Sequence, residues 1–208
     1  MTTPYVPDQF AIEIAQVIFT TFIAFSAIIA LVLYIFKAIA IYKLSKNRGY
    51  KKPWIAFIPI VNSYLLGAVA DNINMCIQKR TIFRYLLLVA DGLTFAVSLM
   101  TYPMAYKMMN EGFIYSENPA VIFDQMPSYM GISALSGLLG LATIIITGFV
   151  LYRIYMDYAP QSGVVYLVLS LLFQVTMPFF LFSIRNKPSI SMSYAQQAPQ
   201  NQQYYNIQ

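Results

Sequence analysis

No Asp, Glu, Lys or Arg occurs between Glu13 and Lys37. A helix needs roughly 20 apolar residues to cross the hydrocarbon core of a bilayer, and a soluble fold has no way to solvate such a stretch. No Lys or Arg precedes it, and it far exceeds the apolar region of a signal peptide, so it is expected to be a retained transmembrane helix. The rest of the chain agrees: 59% of its 208 residues are hydrophobic and only 10% are charged. Many tyrosines, with the single Trp54, stand at the ends of apolar runs, as an interfacial aromatic belt would place them.

Apolar segments predict an all-α polytopic membrane bundle of four transmembrane helices at about 12–42, 85–106, 129–152 and 164–184. Together with the stretch between the first two, they make an integral membrane domain over 1–187. The uncharged, Gln-, Asn- and Tyr-rich tail, 188–208, is expected to be disordered.

The stretch WIAFIPIVNSYLLG, residues 54 to 67, is harder to place, because Pro59 breaks its hydrogen-bond ladder and Asn62 and Ser63 would lie at mid-membrane. Before it stand Lys43, Lys46, Arg48, Lys51 and Lys52, and after it Lys79, Arg80 and Arg84. Basic loops collect on the cytoplasmic side. If the stretch does not cross, nine bases including Arg153 share that side against Lys107, Arg185 and Lys187; if it crosses, the division is eight to four. The expectation is a proline-started amphipathic helix over about 54–78, interfacial or re-entrant. Ser63, Gly67, Ala70, Asp71 and Asn74 would fall on one face, and Val61, Leu65, Ala68 and Val69 on the other. Arg185 and Lys187 before the tail argue against this count, since four spans would put them outside. A faint recurrence of Tyr42-Lys43-Leu44 as Tyr152-Arg153-Ile154, each followed by a loop and an apolar segment, hints at an internal repeat.

Chemistry-bearing residues are few. The chain has no histidine and one cysteine, Cys76, which leaves no Ser/His or Cys/His nucleophile system and few ways to hold zinc. Lys37 and Asp91 are the ionisable residues within predicted spans, and ionisable groups at that depth default to functional candidates with a named partner. They are expected to form an intramembrane ion pair about 10 Å below the basic face, if Lys37 does not instead snorkel to the headgroups. An aspartyl protease would need a second embedded carboxylate, so no catalytic residue, metal ligand or cofactor is expected. Ser133-x-x-x-Gly137 and Ser136-x-x-x-Gly140 suggest close helix approach, within the chain before between copies. Lys43, Lys46, Arg48, Lys51 and Lys52 are expected to contact anionic lipid headgroups, not nucleic acid.

Residues 42 to 67, YKLSKNRGYKKPWIAFIPIVNSYLLG, resemble a group of small bacterial multi-pass membrane proteins of uncharacterised role. In that group a first helix is followed by a basic, Gly-containing turn and a W-x-x-x-I-P-x-x-N-x-Y-x-L segment. The motif positions are Trp54, Ile58, Pro59, Asn62, Tyr64 and Leu66. The resemblance implies a bacterial cytoplasmic-membrane protein and carries over no catalytic residue. Trp54, Pro59, Asn62 and Tyr64 become candidates for an interfacial or partner site. The functional expectation is a non-enzymatic structural, lipid-organising or partner-binding component, with a homo-oligomer or another membrane protein as partner. The alternative is a small transporter or channel subunit using Asp91 and Lys37.

Overall fold

The computed structural model describes residues 9–76, 82–107 and 120–194, all helical or connecting. Lys79, Arg80, the acidic segment through Glu111 and Glu117, and residues 195–208 lie outside the described residues. The helices are α1 (Gln9–Asn47), α2 (Val61–Cys76), α3 (Phe83–Lys107), α4 (Ala120–Tyr158), α5 (Gly163–Leu172) and α6 (Met177–Ile184). Three of them, α1, α3 and α4, are long and apolar enough to cross a membrane. These are the first three expected spans, and they mark the chain as a candidate multi-pass membrane protein.

The fourth expected span is two helices, not one. The backbone leaves helical geometry at Phe173 (φ −125°, ψ 88°), runs through a 3-10 turn at Gln174–Thr176, and restarts with Pro178 in the first turn of α6. The Thr176 hydroxyl lies 3.0 Å from the Leu169 carbonyl and 2.8 Å from that of Phe173, and so helps satisfy acceptors freed by the break. Tyr166 of α5 stacks on Phe180 of α6, ring centroids 4.5 Å apart. Asn47, at the end of α1, donates its side-chain amide to the Arg185 carbonyl at 3.1 Å. The segment therefore starts beside the end of α4 and finishes beside the end of α1. Both ends of this hairpin lie at one end of the bundle, which removes the conflict over Arg185 and Lys187: they join Arg48, Arg84 and Arg153 there.

Residues 50–76 make a similar excursion. Helix α1 stops in a Schellman motif: Gly49 adopts φ 75°, its N–H donates to Lys46, and the Tyr50 N–H donates to Ser45. The chain then enters a 3-10 turn at Pro53–Phe57 and reverses through Ile58, Pro59 and Ile60. Ile60 has φ 67°, an unusual conformation for a β-branched residue. So the helix begins at Val61, and Pro59 belongs to the reversal instead of starting it. On the return Tyr50 donates to the Ala68 carbonyl at 2.6 Å, and burial pushes its phenol pKa up, which keeps it a neutral donor.

Two faces were expected on α2, one for lipid headgroups and one for the apolar interior. Instead Ser63, Leu65, Leu66, Ala68, Val69, Ala70 and Asp71 are all buried. The helix is enclosed by protein and does not lie flat in an interface. Its approach to α3 is so close that a Cβ on Gly67 would sit 2.7 Å from the Arg84 backbone. Asp71 anchors that contact, accepting from the backbone N–H groups of Phe83 (3.0 Å) and Arg84 (3.2 Å) and pairing with the Arg84 guanidinium at 2.9 Å. A carboxylate at a helix N-terminus suits both the free N–H groups and the helix dipole.

The apolar core occupies one half of the bundle. Ile41 and Leu44 of α1, Leu65 and Val69 of α2, Leu87 of α3, Ile154 and Tyr155 of α4, and Leu181 and Ile184 of α6 meet there. In the other half, every residue of α1 from Val17 to Val32 is exposed. Helix α1 packs on the two hairpins, while α3 packs along α4. The small-residue face expected to pack within the chain does not: a Cβ on Gly137 or Gly140 would meet nothing within 4 Å.

The bases of the two hairpins are joined by one buried ion pair. Arg48 follows α1 and Asp157 closes α4; the guanidinium side chain is 0% exposed and the carboxylate side chain 5%. Arg48 also donates to Tyr158 (2.9 Å), to Asn72 of α2 (2.8 Å) and to the Ser189 hydroxyl (2.8 Å). Ser189 donates onward to Asp157 at 2.6 Å, and the Ser191 N–H donates to the other carboxylate oxygen at 2.8 Å. The expected headgroup contact for Arg48 is thus corrected, because its donors are committed inside the protein. The start of the tail, expected to be disordered from 188, is ordered through this network, with a helical turn over 190–194.

With Cys76 replaced by Ser, single cysteines at Gln161 and Asn186 react with a membrane-impermeant maleimide from the same side; labelling from opposite sides would show that 163–184 crosses. Arg48→Ala, which strands a buried carboxylate, lowers stability by about 3–5 kcal/mol in denaturant titration of the micelle-held protein. The double replacement Arg48→Met with Asp157→Leu recovers much of that loss.

Candidate functional site

Lys37 lies eleven residues before Arg48 and Asp91 seven after Arg84. At 1.5 Å per residue they are about 16 and 10 Å from the basic end. Helix α5, ten residues long, reaches about 15 Å from the same end. The hairpin tips and the two ionisable residues therefore meet near half the thickness of a bilayer.

They meet around a cavity of about 290 Å³. Lys37 enters from α1, Ser63 from the first turn of α2 and Asp91 from α3. Thr143 and Thr147 of α4, Ser170 of α5 and Gln174 of the turn complete its polar lining. Leu66, Leu87 and Leu151, each nearly inaccessible, contribute apolar wall and tie the cavity to the core.

The expected direct ion pair between Lys37 and Asp91 is not formed. The two residues attract one another electrostatically, but no direct ion pair joins them; among the described residues the ion pairs within 4.0 Å are Arg48–Asp157 and Arg84–Asp71. Asp91 is instead held by the Ser63 hydroxyl, which also lies 3.1 Å from Asn62 Oδ1. A serine in the first turn of a helix thus carries a carboxylate from the neighbouring helix to the dipole-positive end of α2. Thr143 donates to Leu139 at 2.9 Å and lies 3.3 Å from the Thr94 hydroxyl, while Ser170 pairs with Tyr155 at 3.0 Å. Lys37 and Thr147 are half-buried at this lining, and Gln174 is exposed.

The motif residues divide. Asn62 is buried beside Tyr34, whose enclosed hydroxyl has no partner at hydrogen-bonding geometry. Tyr64 packs edge-on against Tyr85, ring centroids 6.0 Å apart. Trp54 is 57% exposed at the base of the first hairpin. Lys46, Lys51 and Lys52 are exposed and Lys43 is half-buried, all near that base.

In the sequence Lys37 and Asp91 are conspicuous, whereas most of the groups that surround them are not. Gln174, an amide within an apolar run, is a visible signal, as is Ser63 beside Asn62; Thr147 and Ser170 are not, because hydroxyls often bond their own helix in apolar segments. Among the described residues, no group of three His, Cys, Asp or Glu side chains could hold a metal ion. Searches with the chain against family models, curated proteins and solved structures gave no match.

Ser63→Ala removes the hydroxyl holding Asp91. It lowers stability by about 1–2 kcal/mol. The same substitution made on an Asp91→Asn background costs less, and a double-mutant cycle measures the difference.

Proposed function

We propose that the chain is a non-enzymatic multi-pass component of a bacterial cytoplasmic membrane that binds the polar group of a small ligand, lipid or partner protein at mid-membrane depth. Helices α1, α3 and α4 cross the bilayer, and both hairpins enter from the basic end and return to it. The positive-inside rule makes that end cytoplasmic. Lys43, Lys46, Lys51 and Lys52 there favour anionic headgroups, each worth about 1 kcal/mol. The observation that carries this reading is the cavity: polar side chains from α1 to α5 and the turn after α5 converge at one depth on a common void. Intramembrane polar groups are costly, and a ligand or water that satisfies them recovers that cost.

Binding without transport is favoured because the hairpin tips and the packed leucines beneath them close the cavity toward the basic end. Transport would require the hairpins to part. Protein purified from membranes and examined by native mass spectrometry carries a retained small molecule that Lys37→Met loses, and proteoliposomes show no solute flux dependent on Asp91. Identical spectra for the two proteins would remove the binding reading. Flux abolished by Asp91→Ala would replace it with the transporter.

A further inference from the structure

We infer that the cavity at the hairpin tips takes a small zwitterion of the α-amino acid class, its carboxylate on the Lys37 ammonium and its ammonium on the Asp91 carboxylate. This names the ligand class of the binding reading above and rests on it.

The first ground is the arrangement of the two charges. Lys37 on α1 and Asp91 on α3 line one void, yet no direct ion pair joins them; Asp91 is engaged by the Ser63 hydroxyl instead. Opposite charges held apart in a medium of low dielectric keep an attraction that neither has realised. A ligand with one charge of each sign fits between them in one orientation and completes a charge-assisted hydrogen bond at either end. Water bridges the same groups without supplying charge, and one water takes only about 30 Å³ of a void of about 290 Å³.

The second ground is the balance of the lining. It holds one base and one acid, and its other polar side chains, Ser63, Thr143, Thr147, Ser170 and Gln174, both donate and accept. Nothing there selects a net charge: Asp91 opposes a lone anion as Lys37 opposes a lone cation. A ligand of zero net charge with both poles avoids either repulsion, whereas an uncharged amide leaves both ions short of a counter-charge.

The third ground is size and access. Small-molecule pockets run from roughly 300 Å³ upward, so a void of about 290 Å³ suits a molecule of few heavy atoms. Leu66, Leu87 and Leu151 give a wall on which an apolar side chain packs, and they close the basic end. The ligand therefore arrives from the opposite half of the bundle, where the hairpins stop. A zwitterionic phospholipid headgroup shares this chemistry, but its acyl chains hold it at the interface, about 15 Å from mid-membrane.

The test uses dialysed full-length protein in nanodiscs of phosphatidylglycerol, which carry no zwitterionic lipid. Thermal unfolding is followed with norvaline, pentanoate, pentylamine and pentanamide, which share one chain length. Norvaline raises the melting temperature at concentrations at least about tenfold below the other three, the difference expected for one charge-assisted hydrogen bond. Removing either charge exchanges the preference: Lys37→Met weakens norvaline about tenfold or more and makes pentylamine the better ligand, whereas Asp91→Asn weakens it likewise and favours pentanoate. A loss of stability alone does not produce that exchange. Should Lys37→Met fail to fold, the parent protein and Asp91→Asn carry the test. In a Cys76→Ser background Gln174→Cys, exposed at the lining, reacts more slowly with a methanethiosulfonate reagent when norvaline is present, and an unchanged rate removes the ligand from this cavity. Phosphatidylethanolamine in the nanodisc giving the same shift and protection identifies a lipid headgroup and overturns the amino acid. Norvaline without effect, or matched by any of the other three compounds in the parent protein, overturns the zwitterion. The binding reading then stands on the molecule retained in the mass spectra, and falls only if that molecule is absent too.

Discussion

The ion pair between Arg48 and Asp157 is the constraint on which the arrangement of the hairpins depends. Each residue stands where a long helix ends and the chain is about to double back, and Ser189 and Ser191 bring the exit of the second hairpin to the same pair. A buried pair contributes little net stability against an apolar replacement, because desolvation cancels most of the attraction. Its effect here is registration. Neither hairpin can slide along the bundle without leaving a charge unpaired in a dry site, so the depth of both tips is set from their bases. The cavity, about 15 Å away along α5, inherits its geometry from that pair.

This explains why some of the structure was legible and some was not. Long charge-free segments fix α1, α3 and α4 almost by themselves, since length and hydropathy decide a span without knowledge of any partner. The segment from Gly163 to Ile184 is at least as apolar and has a different outcome, because hydropathy does not register a break whose acceptors are recovered locally. Thr176 supplies that recovery, and Pro178 sets the restart. Arg48 was misplaced for a related reason: in a run of five bases nothing local separates the one that turns inward. Its partner, 109 positions away, does so. Lys37 and Asp91 were found because an ionisable residue in an apolar run is conspicuous, whereas the hydroxyls beside them are not.

The faint recurrence around Tyr42-Lys43-Leu44 and Tyr152-Arg153-Ile154 gains a physical counterpart. Both motifs lie in the last turns of a 39-residue helix, and both are followed by an excursion that returns to the same end. The second halves of the excursions, α2 and α6, both start at the cavity and run back toward the basic end. Two units of like direction place like ends together, so the dipole-positive starts of both returning helices converge. Units of opposite direction would instead have put a positive start beside a negative end.

That convergence also accounts for the uneven packing. Apolar side chains gain little by leaving lipid for protein, so the Val17–Val32 half of α1 needs no neighbour and stays exposed among the described residues. Broken backbone is different. The residues at each reversal carry N–H and C=O groups that hydrocarbon cannot satisfy, and they persist at that depth only when wrapped in protein or opened onto a polar void. The core therefore gathers where the hairpins are, in one half of the bundle, and the cavity forms where the wrapping ends. A polar void at the tips is the physical condition under which two half-length hairpins can end there at all, and Lys37, Asp91 and Gln174 are the side chains that keep it polar.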